Sequence, residues 1–490
     1  MPKFYSNVNF KSFGSNSVSS NVAVDSGGIV IKGSTGGTGG TGGTTKIERE
    51  KIIFVDPVNG NNTTAATNYS DNNFVYPYQT YSSAVSGATS GYTIVLLPGT
   101  YTGTMELKDG VNVYCEPGVN ITNGGFTSST AVTSEILGYA KFSGTSSYPG
   151  LNVTGGTGVN SNITFEFDTI TGTRQYALFH DGDGTLTVRG NSIFCGGIAR
   201  IQSNTKNINI NISNFMRVYG AEGIILGKYY GGAPYPIMTG EIIITCPLIE
   251  STSAAIYRGL FNFEDALRWS PAKSYRVVVN SKIIRMSTSP MVESWPFYSA
   301  VVLINGGDNI HFYGDLIGNT VHCVDNRGGG GVPNYGSYYF NGNMESDIPV
   351  ITMGCRVATG NGWYNVSVNG GYLKTKGIGN RGLIESVNNW NNIMGGNPGT
   401  LYFKNCILHN LTPDQTVLVL NGPYESVFLY DCLIYSAGTT GYAADSIYGT
   451  KKVNYINTTS NKTNNTTISS NLTSPSFTYE VNLDIPKINS

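Results

Sequence analysis

Charge is what this chain most lacks. Only 12% of its 490 residues are Asp, Glu, Lys or Arg, and 30 basic against 31 acidic side chains leave a formal net charge of -1. That balance excludes a general affinity for nucleic acid or for an anionic membrane, since both need a basic surface. No run reaches the roughly 20 apolar residues of a membrane span. Cysteine is scarce and scattered, at Cys115, Cys195, Cys246, Cys323, Cys355, Cys406 and Cys432. An odd set with no C-x-x-C spacing reads as reduced thiols packing as small apolar groups, and no metal or cofactor motif stands out. The first residues, Met1-Pro2-Lys3-Phe4-Tyr5-Ser6-Asn7, have no apolar core or cleavage site of a secretory signal, so synthesis in the cytoplasm without secretion is expected. Strong helix formers give way to 63 Gly and abundant Asn, Ser and Thr, which suit turns and sheets.

What is present is a repeat. An apolar-x-apolar phrase recurs at Phe165-Glu166-Phe167, Leu186-Thr187-Val188, Ile210-Asn211-Ile212, Ile242-Ile243-Ile244, Val277-Val278-Val279, Ile310-His311-Phe312, Tyr338-Tyr339-Phe340, Val366-Ser367-Val368, Leu401-Tyr402-Phe403, Val427-Phe428-Leu429 and Val453-Asn454-Tyr455. Successive starts lie 21, 24, 32, 35, 33, 28, 28, 35, 26 and 26 residues apart. A period-2 phrase repeated at that interval is the mark of a solenoid of strands. A second apolar strand follows in many repeats, as at Ile224-Ile225-Leu226, Val301-Val302-Leu303 and Val417-Leu418-Val419, and Asn, Asp and Gly lead back to the next phrase. Each repeat is then one coil of an all-β, parallel β-helix. About thirteen coils stacked at ~4.8 Å make a rod about 60 Å long. No coil could bury its apolar face alone, so the phrase residues are expected to be core throughout.

The ends differ from the middle. Residues 1–32 hold short strand phrases too small to bury a core, and are expected to anchor the chain on a larger body or on other chains. Residues 33–50, rich in Gly and Thr, read as a linker. The rod is assigned to residues 51–456, with an N-terminal cap at 51–110. Residues 457–490 are an Asn/Thr-rich tail ending in a strand that needs a partner.

Four pieces in order, Ile53-Phe54-Val55-Asp56-Pro57-Val58-Asn59-Gly60, Tyr76-Pro77-Tyr78-Gln79-Thr80-Tyr81-Ser82-Ser83-Ala84-Val85, Thr93-Ile94-Val95-Leu96-Leu97-Pro98-Gly99-Thr100-Tyr101 and Gly110-Val111-Asn112-Val113-Tyr114, resemble the opening of pectate-lyase-like right-handed β-helices. The resemblance covers about 70 residues and implies a right-handed coil with a short capping helix at Thr80 to Ser86. The Asn/Thr-rich stretch Asn61 to Asn73 departs from it as an insert. Combined with an anchor-like N-terminus and a Gly-rich link, the whole looks like the fibre, spike or decoration proteins of bacteriophage virions, commonly homotrimers. That likeness implies a virion location, attachment to other virion proteins through residues 1–32, and contact with host cell-surface polysaccharide.

The longest repeats carry aromatic loops where such contact is expected: Tyr229, Tyr230, Tyr257, Arg258, Arg268, Trp269, Trp295, Tyr298, Trp363 and Trp390. The apolar face of a pyranose packs on a ring while its hydroxyls need directional partners. The same rings could instead staple long loops to the rod or pack between subunits. Glycan cleavage would need two carboxyls roughly 5 to 9.5 Å apart. Glu264 with Asp265, and Glu293, are the first candidates; Asp181 with Asp183, Asp325, and Glu345 with Asp347 are equally compatible with turns. A glycan-binding fibre, a depolymerising hydrolase or lyase, and a purely architectural decoration all remain open.

Overall fold

Alternation at period two governs the backbone. In the strand Ile310–Asn319, Ile310 and Phe312 are buried while His311 is half-buried and Tyr313 exposed. The computed structural model describes residues 23–25, 28–31, 45–47, 51–70, 76–145, 150–172, 176–202, 205–220, 223–227, 240–251, 259–263, 275–287, 300–304, 309–326, 336–354, 365–375, 382–387, 400–421, 426–446 and 451–471. The chain groups into two units, Met1–Phe194 with Ile208–Ser213, and Cys195–Asn207 with Asn214–Ser490.

Both units are built as parallel β-helix. Each full coil contributes three strands, one more than the sequence suggested, to three parallel faces, here A, B and C. One coil of the second unit places 310–313 on face A, 315–319 on face B and His322–Asn326 on face C. The next places Ser337–Asn341, Met344–Ser346 and Ile351–Gly354 on the same faces, each parallel to the strand beneath it. The recurring phrase is the face A strand; the second strand read from sequence is face C. Face B escaped notice because the chain turns onto it without a break, as within the single strand Tyr275–Ser287.

Inward positions form ladders. On face A the series Ile244, Val279, Phe312, Phe340, Val368, Phe403 and Leu429 is in register from coil to coil, and every member is almost fully buried. Each such side chain contributes about 1.5–3 kcal/mol of hydrophobic stabilisation, but only once a neighbouring coil covers it. The A-to-B corner needs a left-handed backbone. Gly314 (φ 132), Gly342 (φ 149) and Gly371 (φ 137) supply it in three successive coils, and Asn405 (φ 54), Asp431 (φ 53) and Asn457 (φ 48) in the next three. A Cβ on Gly342 would collide with the carbonyl oxygen of Gly314, so glycine there also permits the close approach of coils.

In the first unit the helix Tyr81–Gly87 is N-capped by the Thr80 hydroxyl, which accepts from the Ser83 amide at 3.4 Å. Its Tyr81 ring meets Phe126 edge to face at 6.1 Å, and Phe126 continues into Phe142 and Phe165. The stretch expected as an insert contains a second helix, Asn62–Ser70, started by Asn61, whose Oδ1 accepts from the Thr64 amide at 3.0 Å. It carries no apolar stripe, which is why it reads as loop. Within the expected anchor and linker, Ala23–Asp25, Gly28–Ile31 and Thr45–Ile47 form a separate three-stranded antiparallel sheet. Past Ile456, Ile468–Ser470 still pairs in parallel with 451–453, so stacking runs into the Asn/Thr-rich stretch.

Candidate functional site

The middle residue of the phrase was expected in the core; it faces outward. On face A of the second unit these residues are, coil by coil, Ile243, Val278, His311, Tyr339, Ser367, Tyr402, Phe428 and Asn454. Period two puts the flanking residues inward, so the one between them must point out. Four of the eight are aromatic and stack in pairs. His311 and Tyr339 lie 4.6 Å apart with planes 14° from parallel, and Tyr402 and Phe428 lie 5.1 Å apart at 10°. These separations match the ~4.8 Å strand spacing, so the rings stack along the direction in which the coils succeed one another. Two residues on, Tyr313 and Tyr430 lie nearly parallel to His311 and Phe428, with centroids 6.4 and 6.3 Å away. Tyr313, Tyr339 and Tyr402 are 37–40% exposed, large apolar area that the described fold leaves in water.

One coil interrupts the stack. Ser367 is in register with Tyr339 on one side and Tyr402 on the other. Tyr339 and Tyr402 therefore stand two strand steps, about 10 Å, apart with only a hydroxymethyl group between them. Polar side chains flank this slot. Asn369 donates to Asn341 Oδ1 at 3.4 Å, and Asn365 Oδ1 accepts from the Thr400 amide at 2.9 Å. Lys404, exposed, is in register with Asn369 below and Tyr430 above.

The charge of this face that has no ion-pair partner among the described residues has one sign. Among its described outward positions from Glu241 to Ile456, Glu241 is the one acid, and it is paired with Arg276 at 3.2 Å. Lys404 and Lys452 are exposed and have no ion-pair partner among the described residues. His311 is held below its usual range by burial and by Arg276, so it is neutral at pH 7; its Nε2 lies 2.8 Å from Asn309 Oδ1.

Face B carries the other outward concentration of polar groups, but these satisfy one another. Glu250, 2% exposed, meets Arg217 and Arg285 of the adjoining coils, each at 2.5 Å. Further along, Lys374 pairs with Glu345 at 3.3 Å, and the Tyr372 hydroxyl lies 2.5 Å from His409 Nδ1. Burial first, and then Lys374, lower His409 to about 4; burial and Glu345 push Tyr372 up to about 12.

Tyr229, Tyr230, Tyr257, Arg258, Glu264, Asp265, Arg268, Trp269, Glu293, Trp295, Tyr298, Trp363 and Trp390 all lie outside the described residues, as does the side chain of Asp325. Of the turn carboxylates, Asp183 Oδ2 accepts from the Gly158 amide at 2.8 Å and Asp347 Oδ2 from the Thr320 amide at 3.3 Å, the backbone service expected of Asp in corners. No group of three or more His, Cys, Asp or Glu placed to hold a metal occurs among the described residues. The aromatic stack was visible in the sequence as His311, Tyr339, Tyr402 and Phe428 at one position of the phrase. No family model, curated protein or solved structure matches this chain.

Proposed function

We propose that this chain is a structural protein of a bacteriophage virion, a fibre or spike component that projects a β-helix and binds host-surface glycan. The observation that carries the glycan reading is the pair of exposed ring stacks on face A. Flat rings beside Asn and Lys side chains suit a sugar, which offers apolar C–H faces and a rim of hydroxyls. The near-neutral composition argues against a nucleic-acid partner. The virion reading rests on the resemblance of residues 52–114 to pectate-lyase-like openings, and on a small separate antiparallel sheet ahead of the coils. A homotrimer is expected of such a component.

The test is binding of the purified full chain, labelled with a fluorophore, to host cells before and after their surface polysaccharide is stripped enzymatically. Binding that disappears on stripping supports the reading; binding unchanged on stripping contradicts it. Removing residues 1–45 should abolish incorporation into particles while leaving circular dichroism of the coils intact. Incorporation without those residues would refute the anchor.

A further inference from the structure

We infer that the slot between Tyr339 and Tyr402 takes a single pyranose ring of an acidic glycan, inserted edge-first over Ser367 with its carboxylate on Lys404. The inference rests on the glycan reading of face A and adds to it a place, a stoichiometry and a charge.

The slot is a gap in the run of rings from His311 to Phe428. His311 and Tyr339 close one side and Tyr402 and Phe428 the other, each pair in ring contact across one strand step. Between His311 and Phe428 only Ser367 carries no ring, so the facing sides of Tyr339 and Tyr402 have no ring neighbour among the described residues. A flat group midway between them lies about 5 Å from each ring centre, inside the 4.5–7 Å range at which ring faces attract a partner. Two such groups side by side do not fit. A saturated sugar ring presents C–H to both phenol faces at once, and its hydroxyls then emerge at the edges, beside Asn365, Asn369 and Thr400.

Charge selects among sugars. Lys404 extends from the coil that forms one wall, exposed and without an ion-pair partner among the described residues. With Glu241 already paired to Arg276, no described outward acid on this face opposes it. A carboxylate gains a charge-assisted bond there. A second copy of this chain is the other conceivable occupant. An exposed Lys at the slot disfavours it, because lysine is depleted from the dry centres of protein interfaces.

The test uses the full chain and two matched probes, β-1,4-mannuronan and β-1,4-mannan hexasaccharides, which differ only in whether C6 is a carboxylate, alongside an array of linear neutral and acidic glycans. The wild type should bind mannuronan at least fivefold more tightly than mannan. Lys404→Gln should erase that preference and Lys404→Arg retain it. Ser367→Tyr fills the slot with the residue its own column uses in neighbouring coils; it should abolish binding of both probes without lowering the thermal midpoint. Equal affinity for the two hexasaccharides, or full binding by Ser367→Tyr, overturns the inference. If only neutral glycans are retained on the array, the acidic slot is wrong and the glycan-binding reading stands; if none is retained, both fall. A change of oligomeric state in Ser367→Tyr with glycan binding intact would assign the slot to a second copy instead.

Discussion

Tyr402 and Phe428 stack across adjacent coils with ring centroids 5.1 Å apart and planes 10° from parallel, although both belong to the outward side of the sheet. Cross-strand aromatic pairs contribute about 0.5–1.5 kcal/mol beyond their area. Tyr402→Ala should therefore destabilise the chain by no more than about 1.5 kcal/mol, while Ser367→Tyr, which joins the two stacks, should stabilise it by about as much. Urea unfolding of the two variants beside the wild type checks both signs. A loss of several kcal/mol in Tyr402→Ala would mean the ring is structural rather than displayed.

Glu250 should matter far more to stability than any residue of the ring stacks. Its carboxylate is almost fully buried and serves two guanidiniums that remain about one third exposed. Glu250→Ala strips both of their partner and should cost about 2–3 kcal/mol, at or just below the range for breaking a buried pair because solvent still reaches the arginines. The Glu250→Ala, Arg217→Ala double variant should recover part of that loss. Denaturant midpoints of the three chains measure it, and equal losses in the single and double variants would contradict the account.

Acid should weaken the fold between about pH 6.5 and pH 4. His180, with neither ring nitrogen hydrogen-bonded among the described residues, is lowered to about 4 by burial. His409, set among Tyr372, Tyr435 and Lys374, is lowered to about 4 by burial and by that lysine. The unfolded chain protonates these groups near 6.5, so in this window it binds more protons than the folded chain. The stabilisation is complete above about 6.5 and is lost as pH falls toward 4, each histidine contributing up to about 3 kcal/mol. Urea midpoints at pH 7 and pH 5 should differ in the wild type and differ less in His180→Leu with His409→Gln. Identical slopes in the two proteins would exclude these histidines as the cause.

Three buried thiols should be chemically silent in the native protein. The six described cysteines, Cys115, Cys195, Cys246, Cys323, Cys406 and Cys432, are all buried. Burial pushes Cys115 and Cys323 far above the usual thiol range and Cys246 to about 11, so little thiolate is available at neutral pH. Iodoacetamide at pH 8 should leave Cys115, Cys246 and Cys323 unmodified by peptide mass spectrometry until denaturant is added. Rapid native alkylation of any one of them would show that its coil opens.

The coiled fold was legible in the sequence because a period-2 phrase, repeated, forces stacking whatever the loops do. Face B was not, since Gly314 or Asn405 turns the chain in place and leaves no loop to mark a new strand. The ring stacks of face A went unread for a related reason. Aromatic residues interrupting the repeat at Tyr229, Trp269 or Trp295 attract attention, while Tyr339 and Tyr402, sitting inside the phrase, read as core. Their exposure follows from alternation, which the phrase contains, but their alignment with Ser367 depends on coil-to-coil register. Coils of 21 to 35 residues hide that register in a linear chain.

The most direct measurement of the central claim is a crystal structure of the full chain soaked with the mannuronan hexasaccharide. The account predicts one sugar ring between Tyr339 and Tyr402, about 5 Å from each phenol, with a carboxylate oxygen within hydrogen-bonding distance of Lys404 Nζ. An oligosaccharide seated on the loops around Trp269 or Trp295, or a second copy of the chain filling the slot over Ser367, would contradict it.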